Sequence, residues 1–422
     1  MTAKRTLLTR GSLVCLAGIL ATCAVVPLRA QDIMLPGDVP PRVKKHKPKP
    51  EVLPPAPDRP PSIVIPAAPL GFGAPSLTYL GRQYSVVALS FVDENRLLFS
   101  FRAPGLLARD ANESTGIRQM RAVVLKLPDG KVESEALWTI PDNARYLWSL
   151  KDGQSLLRDH NGLEIVDASL QMKPALPLSG KFLALRVDPS AKIVESNTLE
   201  DAGPARPGTQ EIVTRLLDLG TGHAKVSRSA RAPSELPINS DGSLEITHDN
   251  KYDQWSLRLN LFGGGSRILG HVESTCQPTS AFLASKTILM SGCNQMRVPK
   301  LTALSIGGQI LWESEAPLLY IPPLLGTTAD GSRFIRESIA LRKAPSVGNE
   351  TLWVKAVRGQ VVRVFDTASG KVALELSVIP VLDGGGNAAL SPSGRRLAVL
   401  NHGSIQVFDL PPVSAAPAPP AN

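Results

Sequence analysis

Asn387–Leu410 reads NAALSPSGRRLAVLNHGSIQVFDL. A short apolar stretch leads into a Ser-Pro-Ser-Gly turn, then a second apolar stretch, a brief polar break and a third strand, Ile405–Leu410, that runs into an Asp. Turn residues flanked by short apolar, strand-length runs are the local mark of a β-hairpin. The same phrase recurs upstream, and recurrence at a steady period decides the architecture.

Aligned on the first turn of each unit, seven copies are present. They are VDENRLLF at Asn95, LKDGQSLL at Gly153, DPSAKIV at Ala191, NSDGSLEI at Gly242, FLASKTIL at Lys286, TADGSRFI at Gly331 and SPSGRRLAV at Gly394. Glycine suits this position because a tight hairpin turn calls for positive φ. Ala191 and Lys286 stand where Gly or Asn is expected, so those two turns should be of another type. A second hairpin follows in six units, with turns at Gly130, Ala168, Gly222, Gly264, Gly308 and Gly370. The seventh unit reaches only its third strand before the chain turns to proline.

Four strands per unit, repeated about every 48 residues, predict an all-β, seven-bladed β-propeller with four antiparallel strands per blade. The strand missing from the last blade is expected from the N-terminal side. Ser76–Tyr84, SLTYLGRQY, precedes the first unit without a partner of its own, and closing the ring with it would remove free sheet edges. The phrases VFDTASGK (from Val364) and VFDL (from Val407) resemble the WD-repeat and lactonase-type bacterial propeller repeats, in which a strand ends in an aromatic residue and Asp. The resemblance covers about residues 76–410 and implies the fold; its families span scaffolds, oxidoreductase subunits and hydrolases. No Trp-Asp pair occurs. Asp167, Asp218, Asp366 and Asp409 end third strands and read as turn formers that satisfy backbone donors.

Outside the array, residues 1–30 read as a signal peptide. Lys4, Arg5 and Arg10 precede an uncharged apolar stretch, Gly11–Pro27, and Leu28-Arg29-Ala30 offers a cleavage point. The expected address is therefore periplasmic or extracellular. Cys23, within a lipobox-like Leu20-Ala21-Thr22-Cys23, or an uncleaved signal would be the route to a membrane anchor. Residues 31–75 read as a proline-rich basic linker in polyproline II form, with Arg42, Lys44, Lys45, His46, Lys47 and Lys49 as its basic knot. Residues 411–422 read as a disordered proline- and alanine-rich tail. The formal charge of +9 over 422 residues includes the four basic side chains of the signal. The remaining balance is not the strongly basic face that nucleic-acid binding requires. With Cys15 and Cys23 in the signal, Cys276 and Cys293 are the only cysteines of the body, and in an oxidising compartment they are expected to form a disulfide.

Loop lengths point to one face. Insertions fall between second and third strands at 103–119, 197–210 and 341–360, on the end that also carries the connections between blades. Loops carry function on rigid scaffolds. The compact loops at the same position hold His160 and Asn161, His248 and Asp249, Asn294, and His402, which are the candidate ligand contacts. No Gly-x-Ser-x-Gly, His-Glu-x-x-His, Gly-x-x-x-x-Gly-Lys or Cys-x-x-Cys-His pattern occurs, so no catalytic residue, metal or cofactor is assigned. The leading expectation is a monomeric, non-enzymatic module that binds an envelope protein or polymer through the loop-rich face. Membrane contact would run only through the N-terminal segment or the basic linker. The alternative is an enzyme of the lactonase or dehydrogenase-subunit kind, acting on a small molecule at the central channel with His160, His248 and His402 as ligand or acid–base groups.

Overall fold

A computed structural model describes residues 48–73, 78–79, 87–102, 116–141, 145–204, 206, 208–230, 236–249, 253–343 and 354–413. Seven antiparallel sheets form the seven blades of a propeller. The first runs Val87–Asp93, Arg96–Arg102, Ile117–Lys126, Lys131–Pro141, in order from the channel outward. Blades two, three, five and six repeat that plan. In blade four the strands Gly242–His248, Gln254–Leu261 and Ser266–Glu273 are joined on the inner side by a single bridge, Ile238 to Ser243.

Each blade packs on the next through inward-facing apolar side chains. Phe99, Phe101, Val123 and Leu125 of blade one meet Ala398, Leu400, Ile405 and Val407 of blade seven. Ile335, Val362 and Val364 of blade six meet Leu397, Val399 and Phe408 on its other side. The fully buried Arg333 adds a polar tie across that seam. Its Nε donates to Asp366 Oδ1 at 2.8 Å and its Nη1 to the Gly394 carbonyl in the blade-seven turn at 2.6 Å. Asp366 and Asp409 also pair with arginines. Each faces an arginine in register on the neighbouring strand, Arg333 and Arg396 respectively. Asp167 and Asp218 do accept from turn N–H groups, at 2.8 to 3.0 Å.

The first turns are held by a buried polar side chain at the end of the inner strand. Asp188, Asn239, Thr328 and Ser391 are all buried and accept backbone N–H donors from their own turns. This explains Ala191, which enters the left-handed region at φ 50° although a different turn was expected. The Asp188 carboxylate accepts from Ser190, Lys192 and Ile193 and offsets the local strain. Gly242, conversely, has no positive φ. It is required for room, since a Cβ there would stand 2.1 Å from the Asn260 carbonyl oxygen.

The last blade is completed from the N-terminal side, but by a different segment from the one expected. Ile63–Pro66 pairs antiparallel with Ser404–Val407 as the outermost strand. Ser76–Tyr84 contributes only Thr78–Tyr79, paired in parallel with Val381–Leu382 in the connection from blade six to blade seven; the remainder lies outside the described residues. The segment Ile-Val-Ile-Pro alternates as a strand should, with Ile65 6% exposed and Val64 53%. Pro66 is tolerated because an outermost strand has one edge with no ladder to complete.

The rest of the described proline-rich segment is a strap and not a free spacer. Lys49 accepts a hydrogen bond from Leu318 N at 2.9 Å, and Phe72 sits edge-on to Phe99 and Phe101. Glu51, 2% exposed, inserts between blades five and six. It accepts from both terminal nitrogens of Arg363, at 2.9 and 2.6 Å, and from Ser338 Oγ at 2.9 Å. Proline density suppresses helix and central strands, yet it leaves such side-chain docking open. The assigned signal, residues 1–30, and the linker up to residue 47 lie outside the described residues. No helix among the described residues is long and apolar enough to cross a membrane.

Candidate functional site

Connections between second and third strands and connections between blades share one end of the propeller, here called the loop face. The described part of the blade-three insertion is an extended hairpin. Ile193–Asp201 and Gln210–Asp218 pair over their whole length, whereas the equivalent strands of blade two span only Ser155–Arg158 and Gly162–Val166. Its base is polar and well connected, with Arg215 Nη2 donating to Glu200 Oε1 at 2.6 Å and Thr214 Oγ1 to Asn197 Oδ1 at 2.6 Å. Most of the 103–119 and 341–360 insertions lie outside the described residues.

The six candidate contacts all sit on this face, spread over four blades. In blade two Asp159 accepts from the N–H groups of Asn161 and Gly162, and His160 projects into solvent. In blade four His248 packs edge-on against Trp255, at 4.8 Å between ring centres. Asn294 of blade five uses its side-chain oxygen on the N–H groups of Met296 and Val298. His402 of blade seven adopts φ 47° and donates its N–H to the Ile379 carbonyl. Asn294 and Asp159 are thus engaged in shaping their own loops. Among the described residues no three His, Cys, Asp or Glu side chains gather as a metal-binding group.

Asp249 belongs to a cluster that resembles a hydrolase triad in composition only. Its Oδ2 lies 2.8 Å from His271 Nδ1, and Ser256 Oγ donates to its Oδ1. Ser256 Oγ stands 3.2 Å from that same Nδ1. A proton relay needs the hydroxyl and the carboxylate on opposite nitrogens of the ring. The three residues therefore act as a clip across blade four. The Ser256 and His271 hydrogen bonds hold the Asp249 carboxyl below its usual range.

The disulfide between Cys276 and Cys293 is present, with 5.5 Å between Cα atoms. It ties the connection entering blade five to the end of that blade's second strand. Ser274 Oγ donates to the Cys276 carbonyl at 2.6 Å beside it.

A polar group missed in the sequence occupies the channel mouth on the same face. Glu337, on the second strand of blade six, accepts from Gln360 Nε2 at 2.9 Å. Gln360 also exchanges hydrogen bonds with Asn387 at 3.0 and 3.1 Å, which joins blade six to the start of blade seven. Burial pushes the Glu337 carboxyl up to about 7, against the opposing pull of Arg145 from the entry to blade two. Arg145 keeps an exposed surface, and surrounding protein lowers its guanidinium against the opposing pull of Glu337. Its Nε donates to the Leu147 carbonyl at 2.8 Å and its guanidinium lies over Trp148. Next to it, Tyr146 is 2% exposed and hydrogen-bonded to Ser100 at 2.8 Å, and burial pushes its phenol up. The signal in the sequence was Arg336-Glu337, two opposite charges inside an otherwise strand-like apolar run. Alternation sends them to opposite faces of the blade, Arg336 toward Glu51 and Glu337 toward Asn387.

No protein-family model matches the chain, and none of the curated proteins matches it. Among solved structures it is similar to the β-propeller domain of the Trilobed protease from Pyrococcus furiosus, described as having an open velcro topology. That match has 9% identity and a TM-score of 0.42, covering 80% of this chain and 100% of that one. It is also similar to the WD40 domain of Toxoplasma gondii coronin, at 9% identity and a TM-score of 0.39, covering 82% and 90%. Hydrazine synthase of Kuenenia stuttgartiensis gives 12% identity and a TM-score of 0.39, covering 80% and 98%. At such identities the likeness concerns fold alone, and function must be argued from the site.

Proposed function

We propose that the chain is an exported binding or scaffold module of the cell envelope that captures an envelope protein or polymer on its loop face. The observation that carries this reading is one-sided elaboration. The extended blade-three hairpin and the two other insertions all lie between second and third strands, while the opposite face keeps short turns closed by their own buried caps. Drift alone would distribute length over both ends, because surface loops lengthen at little entropic cost. The Cys276–Cys293 bridge is compatible with an oxidising compartment. The test is a crosslinked pull-down from native envelopes, with intact protein beside a form shortened at 103–119, 197–210 and 341–360. A stoichiometric partner lost only from the shortened form supports the reading, and unchanged capture overturns it.

An enzymatic reading draws on a different observation. Glu337 is held near neutrality at the channel mouth with Arg145 close by, as a general acid or base would need. His160, His248 and His402 stand on separate loops and do not share in it. A lactone-hydrolysis screen comparing the protein with Glu337→Gln tests this. Activity that survives the substitution removes Glu337 from the chemistry.

A further inference from the structure

We propose that the blade-six sector of the loop face docks an acidic polypeptide segment that carries an apolar anchor side chain. This rests on the binding-module reading and names the chemistry of its partner.

Four cations share one small base. Arg342 and Lys343 directly follow the second strand of blade six, Arg333–Leu341, Lys355 lies in the short helical stretch 354–356, and Arg358 is the second residue of the third strand, Val357–Asp366. Arg342 N donates to the Ala356 carbonyl at 2.8 Å, which holds the two ends of the loop together. All four side chains are exposed, and among the described residues none takes part in an ion pair or a side-chain hydrogen bond.

Several arginines elsewhere in the molecule are paired with carboxylates. Arg363 is compensated by Glu51 and Glu375. Arg206, Arg215 and Arg228 of blade three face Glu200 and Glu211. With no counter-ion among the described residues, four like charges on one short loop base repel one another and raise the local positive potential. Such a patch steers an anionic partner toward the face.

A groove of about 280 Å³ opens beside the cations. Leu53, Val357, Val378 and Val381 line it, with Arg358 and His402 also contributing. Val378 and Val381 are 1% and 4% exposed, so the apolar surface is recessed. A bilayer surface cannot follow it inward, and an anionic polymer without apolar groups gains nothing from it. A polypeptide can place carboxylates on the cations and one apolar side chain in the groove. Charge complementarity and the recessed floor together select that occupant.

The probe is a fluorescent peptide of about twelve alternating Glu and Leu residues, an extended segment able to lie along such a groove. Its counterparts are a Lys/Leu peptide, a Glu/Ser peptide and vesicles of phosphatidylglycerol. The full protein is compared with R342E/K343E/K355E and, as a control on the opposite face, K151E. Thermal melts confirm that each variant is folded. The triple reversal is expected to weaken Glu/Leu binding by at least about tenfold, and raising the salt from about 50 to about 300 mM to weaken it as well. K151E should leave binding unchanged, and Glu/Ser should bind more weakly than Glu/Leu.

Equal binding by the triple reversal overturns the proposal. So does equal affinity for Glu/Ser, or binding to vesicles without binding to the peptide. The envelope pull-down separates this from the broader reading. A partner lost on loop shortening but retained by R342E/K343E/K355E would leave the loop face as the binding face and remove the patch from it.

Discussion

Replacing Glu51 with alanine takes away the one carboxylate that stands between the buried Arg336 and the half-buried Arg363. Arg336 and Arg363 lie directly opposite each other on adjacent strands of blade six, so their charges repel. Glu51 accepts three hydrogen bonds there, two of them from Arg363. Arg336 is 4% exposed, and burial pushes its guanidinium down to about 10 against the pull of Glu51. Removing one member of a buried ion pair costs about 3–5 kcal/mol. Arg363 keeps Glu375, through hydrogen bonds of 2.8 and 2.6 Å, so the lower part of that range applies, about 3 kcal/mol. Urea unfolding followed by tryptophan fluorescence should show this as a lower midpoint with an unchanged slope. Trp312, whose indole N–H reaches from blade five to the Thr367 carbonyl of blade six, reports on the seam beside Glu51. A double-mutant cycle with Arg363→Ala should return a coupling above about 1 kcal/mol. A change within about 0.5 kcal/mol for Glu51→Ala, the ordinary range for surface positions, would refute the docked strap and return residues 48–62 to the status of a spacer.

Three further outcomes follow from the same structure. Reducing the Cys276–Cys293 bridge, or replacing both residues with serine, should cost about 3 kcal/mol on the chain-entropy estimate for a closed loop of this size, read as a lower midpoint under reducing conditions. Glu337 binds its proton more tightly in the folded chain than in the unfolded one, so stability is highest below about pH 4.5 with respect to this group and falls as pH rises through about 7. Glu337→Gln should flatten that fall, by about 1–2 kcal/mol once solvent in the channel is allowed for, and an unchanged pH profile would contradict the burial argument. Gly386→Ala should destabilise by more than about 2 kcal/mol, because φ is 95° and the new Cβ would lie 2.1 Å from the Val87 carbonyl oxygen. Gly222→Ala, at φ 69° with open space around it, should cost only about 1 kcal/mol, so similar losses at the two sites would argue against the close approach.

The repeat was legible because it rests on local chemistry. A turn residue, an apolar strand and a second turn are recognisable wherever they occur, and their count sets the number of blades. Ring closure was legible in kind and misplaced in detail. Ser76–Tyr84 stands nearest the first blade without a partner of its own, and prolines surround Ile63–Pro66. Yet the alternation Ile63, Val64, Ile65 was visible, and an edge strand is the one place in a sheet where flanking proline is harmless. Proline density describes what the backbone of 48–66 cannot do. It says nothing of Glu51, whose role depends on Arg336 and Arg363, far along the chain.

The candidate contacts divide along the same line. His160, Asn161, His248, Asp249, Asn294 and His402 were found because turn residues betray loops, and several of them prove to be occupied in building those loops. Glu337 and Arg145 come together only when blade six and the entry to blade two converge on the channel, so neither has a local motif. What the sequence did display was charge inside a strand, at Arg336-Glu337. In a blade packed on both faces a charged pair must find partners on both sides, since an unpaired buried charge costs several kcal/mol. The partners are Glu51 from the strap on one face and Gln360 with Asn387 on the other. Charges interrupting an apolar strand of a propeller therefore mark where something outside the blade is held, and this strand is followed at once by Arg342 and Lys343, whose charges no described residue pairs.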